Sequence, residues 1–187
     1  MDAQSLRISR IRKMFGVSRK TFAIASGLTE QAIASYEAGD RIPNTSSMLV
    51  FSTGYGFSMD WLCGFDSAPY TEKSISYAME RYMEDTGQKL PLRTDIPYSA
   101  EAMANLLSMS RIMDVLSPSS DTYKTMEKNF QQIYMTGKPV YRIHDIVSLK
   151  EDELSLLDKM RHEVKKGKRL VRVHSKRELK TNNMKIE

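Results

Sequence analysis

The sequence predicts an all-α protein, and three observations carry the prediction. Apolar residues recur three and four positions apart through most of the chain, the spacing that puts them on one face of a helix. Most of these stretches open behind a residue able to cap a helix, among them Ser18, Thr29, Ser58, Ser99 and Ser148. They close at glycines, Gly27, Gly39, Gly87, Gly137 and Gly167, or at the Ser117-Pro118 pair. With 187 residues, 41% of them hydrophobic, the chain can bury one moderate core or two small ones.

The first helix is predicted over 4–14. Leu6, Ile8, Ile11 and Phe15 supply its apolar surface, and Arg7, Arg10, Arg12 and Lys13 the polar one. Ser18 caps a second helix whose inner face is Phe22, Ala23 and Ala25. It stops at Gly27, where the chain needs a left-handed residue to turn sharply. Leu28 begins the next inner face and Thr29 caps the third helix. Ile33 and Tyr36 there point inward, leaving Glu30, Gln31, Ala34, Ser35 and Ala38 outward with Ala32 at the edge. Two short helices joined by a tight turn, the second with a small, polar outer face, suit the major groove of DNA.

On these residues the chain resembles the helix-turn-helix of phage Cro and repressor proteins, the lambdoid or xenobiotic-response-element type. The matching positions are Ala23, Gly27, the Thr29 cap, Ile33, Glu37-Ala38-Gly39 and the later Gly56-Phe-Ser-Met-Asp-Trp-Leu62. The resemblance covers 1–66 and implies a five-helix lambda-repressor-like DNA-binding domain, followed by a mainly helical second domain. It also implies an ion pair between Arg12 and Glu37 that ties the first helix to the third. Two positions depart from the family: Arg19 stands where a glutamine usually opens the second helix, and Tyr36 replaces an aliphatic residue. Arg19 still permits a phosphate contact.

After Gly39, Pro43 and its polar neighbours predict a loop, then a fourth helix over 48–55 capped by Thr45 or Ser46 and ended by Gly54 or Gly56. A fifth, behind Ser58, carries Trp61, Leu62 and Cys63; the single Trp and single Cys read as core or dimer-facing packing. Asp66-Ser-Ala-Pro-Tyr70 reads as a linker. Beyond it Ile75, Ala78, Met79, Tyr82 and Met83 form one stripe, and Met103, Leu106, Leu107, Met113 and Leu116 a second. Tyr123, Met126, Phe130, Ile133 and Tyr134 form a third. Residues 71–148 are therefore expected to be a helical oligomerisation or regulatory domain. The run 138–147 is too short for its periodicity to assign. Ser148 and Glu151 have the spacing of a capping box, and 149–187 is predicted as a helix followed by a basic, partly mobile tail after Gly167.

The formal net charge is +5, and its location matters more than its size. Residues 1–66 hold seven Lys and Arg against six Asp and Glu, and 67–148 nine against ten. Residues 149–187 hold twelve against seven, so the excess sits in the last segment. That tail reads either as a solvated terminus or as a second, sequence-blind contact to DNA phosphates. One Cys excludes an internal disulfide framework, and no apolar run approaches a membrane span, so a soluble cytoplasmic protein is expected. His144, His162 and His174 lie far apart, with no metal-ligand spacing, no Gly-rich phosphate loop and no nucleophile elbow. The expectation is no enzyme, no metal and no cofactor.

The functional expectation is a sequence-specific regulator of transcription that binds double-stranded DNA as a homodimer or higher assembly, with a regulatory protein as a further partner. Base reading is assigned to Thr29, Glu30, Gln31, Ala32 and Ser35: Gln31 can pair with an adenine edge, Glu30 can accept from cytosine or orient Gln31, and Ala32 can touch a thymine methyl. Phosphate contacts are assigned to Ser18, Arg19 and Lys20 on one side, and to Arg41 and Asn44 on the other. Two rivals remain open: an activator or antitoxin-like regulator with the same head, and a helical adaptor that has lost DNA binding.

Overall fold

The computed structural model describes residues 3–65 and 68–143. Eight helices follow in order: α1 (Ala3–Met14), α2 (Arg19–Ser26), α3 (Glu30–Ala38), α4 (Thr45–Tyr55), α5 (Met59–Leu62), α6 (Glu72–Thr86), α7 (Ala100–Met113) and α8 (Asp121–Thr136). Among the described residues there is no strand, and the protein is all-α. The Ser148–Glu151 capping box, the helix after it and the basic tail lie outside the described residues.

Local signals set most of the boundaries. The side chains of Ser18, Thr29, Thr71, Ser99 and Ser120 each accept an N–H from the first turn of the helix they precede. The fourth helix departs from expectation. Asn44, not Thr45 or Ser46, is its cap: Oδ1 accepts the Ser47 N–H at 2.9 Å, so the helix starts at Thr45, earlier than the apolar pattern indicates. The apolar pattern begins only where the helix turns toward the core.

The head, α1–α5, closes over Ile8, Ile11, Phe22, Ile33, Phe51 and Leu62, all fully buried. Phe22, Phe51 and Tyr55 form an aromatic cluster with centroids 5.5–6.3 Å apart. Burial pushes the Tyr55 hydroxyl up to about 12, so it stays neutral and hydrogen-bonds with Ser26 at 2.9 Å. Phe57 stacks on Trp61 at 5.3 Å and meets Tyr70 at 4.8 Å, while Ser58 N–H donates to Pro69 O at 2.8 Å. The end of the expected linker, Pro69 and Tyr70, is thus held beside the start of α5.

Two side chains of the head reverse their expected surroundings. Arg10, expected on a solvated face, is only 7% exposed, because α1 is covered by α3 on one side and α5 on another. Its burial and the nearby Arg7 lower its pKa. Cys63, read as packing, is exposed, because α5 ends at Leu62 and the next residue turns outward.

α6 packs along α4, and α7 packs on α4, α6, α2 and α8. Neighbours on several sides explain why α7 buries Ala102, Ala104, Asn105, Leu106, Leu107, Ser108, Met109 and Ile112, where a single stripe was expected. Ala102, Ala104 and Ser108 are small enough to let those neighbours approach. α8, with one main neighbour, buries only Met126 and Ile133 and leaves Tyr123, Phe130 and Tyr134 half-buried. Met83, expected in the α6 stripe, is exposed. Residues 138–142 are irregular; Asn105 Oδ1 accepts the Tyr141 N–H at 2.8 Å and holds them to α7.

Candidate nucleic-acid interface

Three residues separate α2 from α3. Gly27 takes φ +65°, which lets the Leu28 N–H donate to Ala23 O at 2.9 Å and the Gly27 N–H to Ile24 O at 3.1 Å. The last turn of α2 is thereby satisfied and the chain leaves it at a sharp angle. Thr29 Oγ1 then accepts the Ala32 N–H at 3.1 Å and starts α3 at once.

The back of α3 is held in two ways. Ile33 and Tyr36 are buried, and the Tyr36 hydroxyl is 3.0 Å from Ser47 Oγ on α4. Glu37 is the second anchor, its side chain 3% exposed. Arg12 donates to it from Nε at 2.5 Å and from Nη2 at 3.2 Å, and spends Nη1 on Val17 O at 2.8 Å. Arg19 donates to the same carboxylate from Nε at 2.6 Å. One carboxylate thus joins α1, the start of α2 and the end of α3. The resemblance implied the Arg12 partner; Arg19 as a second partner had no signal in the sequence, because it needs the start of α2 beside the end of α3.

Outward, Thr29, Glu30, Gln31 and Ala38 are exposed, and Ala32, Ala34 and Ser35 are half-buried. Thr29 keeps its side chain engaged in the cap. Ser18, Arg19 and Lys20 are exposed at the start of α2, with Ser18 Oγ accepting the Thr21 N–H at 3.0 Å. Arg19 is 49% exposed while tethered by Nε, which leaves its outer nitrogens facing solvent in a restricted set of positions. Arg41 and Asn44 are exposed on the loop between α3 and α4, and the Asn44 amide nitrogen is not used by the cap. Exposed Ile42, beside Arg41, was not singled out in the sequence.

Nothing among the described residues groups three or more His, Cys, Asp or Glu side chains in a way that could hold a metal ion. No described helix is long and apolar enough to cross a membrane. Residues 8–62 match the helix-turn-helix family. Searches of curated proteins and of solved structures return no match to this chain. The family match supports a DNA-binding regulator of transcription, carried by the N-terminal helices.

Proposed function

We propose that the protein is a sequence-specific repressor of a phage or other mobile element, a cytoplasmic regulator that binds double-stranded DNA as a dimer on an inverted-repeat operator. The observation that carries this reading is the exposure of Glu30 and Gln31 at the leading end of a helix whose back is fixed by Ile33, Tyr36 and Glu37. In this reading α3 enters the major groove by its N-terminus. Gln31 pairs with adenine, Glu30 accepts from cytosine or orients Gln31, Ser35 bonds a further base, Ala32 meets a thymine methyl and Thr29 adds an edge contact. Ser18, Arg19 and Lys20 grip one phosphate backbone, Arg41 and Asn44 the other. Residues 71–148 serve assembly or regulation, and 149–187 adds its excess charge.

Selection of bound sites from a random duplex pool tests this reading, and an inverted repeat with half-sites about one helical turn apart is expected. Gln31→Ala should then cost about 1–3 kcal/mol of binding and relax the preference at one base pair. Arg41→Ala should weaken all sequences alike and reduce the salt slope by about one. An unchanged base preference in Gln31→Ala removes the assignment. Strictly monomeric binding to a single half-site removes the dimer.

The tail is tested separately. Truncation after Gly167 should lower affinity for all duplexes and flatten the salt dependence if the tail contacts phosphates. Identical slopes for the full and truncated chains would leave it a solvated terminus. The lack of Arg or Lys on α3 keeps the adaptor reading as the rival, and failure to bind random DNA at low salt would remove the DNA-binding reading. An activator or antitoxin-like role shares the head and differs only in the partner of 71–148.

A further inference from the structure

The carboxylate of Glu37 is shared between two arginines that use it differently. Oε1 accepts from Arg12 Nε at 2.5 Å, and Oε2 accepts both from Arg12 Nη2 at 3.2 Å and from Arg19 Nε at 2.6 Å. Neither arginine pairs with another carboxylate among the described residues. Two guanidinium groups around one carboxylate leave one positive charge over.

That charge is presented at Arg19. Arg12 is 14% exposed and engages all three side-chain nitrogens within the head, Nη1 with Val17 O at 2.8 Å. Arg19 is 49% exposed, and Nε is the only one of its side-chain nitrogens with a described partner. A guanidinium is planar and rigid, so turning Nε to Glu37 leaves the outer edge, Nη1 with Nη2, as a fixed pair of donors. Two oxygens of a phosphate match that pair.

The tether also joins two helices. Arg19 is the first residue of α2, and Glu37 lies in the last turn of α3, its side chain 3% exposed.

We infer that Glu37 is a positioning residue for the phosphate grip: it holds Arg19 by Nε while Nη1 and Nη2 together take one DNA phosphate, so that backbone contact and α3 are joined through a single carboxylate. This rests on the DNA-binding reading above and adds a requirement for arginine at position 19. Lysine has one side-chain nitrogen, which must be divided between carboxylate and phosphate.

The test uses the full chain and a duplex obtained by selection. In ¹⁵N side-chain spectra the Arg19 Nε–H signal is expected to stay at its carboxylate-bonded position when duplex is added, while the Nη signals shift. A neutral methylphosphonate placed at each phosphate in turn should weaken binding about tenfold at one position, and should cost Arg19→Gln nothing there. Arg19→Lys, which keeps the charge, should bind the unmodified duplex about tenfold more weakly. Both variants leave Arg12 on Glu37 to hold the fold. Glu37→Gln frees Arg19 and should shrink the methylphosphonate loss, which a loosened α3 alone would not do. If the unsubstituted chain binds no duplex, the DNA-binding reading falls and this inference with it. If it binds, the inference alone is overturned by an Arg19 Nε–H signal that leaves its position on binding, or by Arg19→Lys binding as the unsubstituted chain does. It is overturned equally if no methylphosphonate position distinguishes Arg19→Gln, or if Glu37→Gln shows the full loss at that position.

Discussion

Glu37→Gln is expected to lower the unfolding free energy by about 3 kcal/mol, the cost of leaving buried guanidinium charge without its carboxylate. The substitution keeps the shape of the side chain, so the loss reports charge rather than volume. Arg12 suffers most, because its side chain is 14% exposed and two of its nitrogens face Glu37. Arg19→Met should change stability by less than about 1 kcal/mol, since Arg19 is half in water and Arg12 still neutralises the carboxylate. The joint replacement Arg12→Met with Glu37→Leu should recover much of the loss, because a packed apolar pair has no desolvation cost to offset. Urea unfolding midpoints at constant slope measure all three. If the double variant is as unstable as Glu37→Gln, the uncompensated charge is not the cause. For function, the consequence is that α3 is positioned by an ion pair to α1, so a loosened Glu37 would blur base preference before it abolishes binding.

The second large effect is expected at Gly56, the residue that ends α4 with φ +78°. Two separate penalties meet there. A side chain in the left-handed region costs about 1–2 kcal/mol. In addition, a Cβ would lie 2.8 Å from Ile75 Cδ1 and 3.4 Å from Ala104 Cβ, both buried residues, on α6 and α7. Gly56→Ala should therefore cost about 2–4 kcal/mol in all. Gly87→Ala is the control: φ is +69° and nothing stands within 4 Å, so only the backbone penalty applies. Equal losses for the two variants would show that the close approach of α6 and α7 to the end of α4 is not energetically tight. Gly56 O also accepts from Ser74 Oγ at 2.8 Å, so the same residue fixes the entry of α6 beside the head.

Local rules account for what was legible. A capping hydroxyl or a glycine stop acts within about four residues, so Ser18, Gly27, Thr29, Ser99 and Gly137 announce helix ends whatever surrounds them, whereas Ser58, expected to cap α5, precedes it without a side-chain capping bond. The outward set on α3 was legible for the same reason: once Ile33 and Tyr36 face in, a period of 3.6 dictates that Glu30 and Gln31 face out. Asn44 was missed as a cap because three adjacent residues, Asn44, Thr45 and Ser46, all carry capping side chains, and local chemistry cannot choose among them. Arg10, Cys63 and α7 were misread for a different reason. An arginine reads as solvated, a cysteine as buried and an apolar stripe as one-sided until the neighbours are known.

The sequence by itself determined the helices, their ends, and the turn that presents α3, because those depend on backbone conformation and on side chains a few residues apart. Only the tertiary structure decided that Glu37 serves two arginines, that α7 is packed from several sides, and that Arg81, Asp85 and Arg111 form one wall of a cleft against Gly54. They bring together residues such as Arg19 and Glu37, 18 positions apart, and Gly54 and Arg111, 57 apart, and burial and ion pairing depend on distance in space, which nearby sequence does not encode.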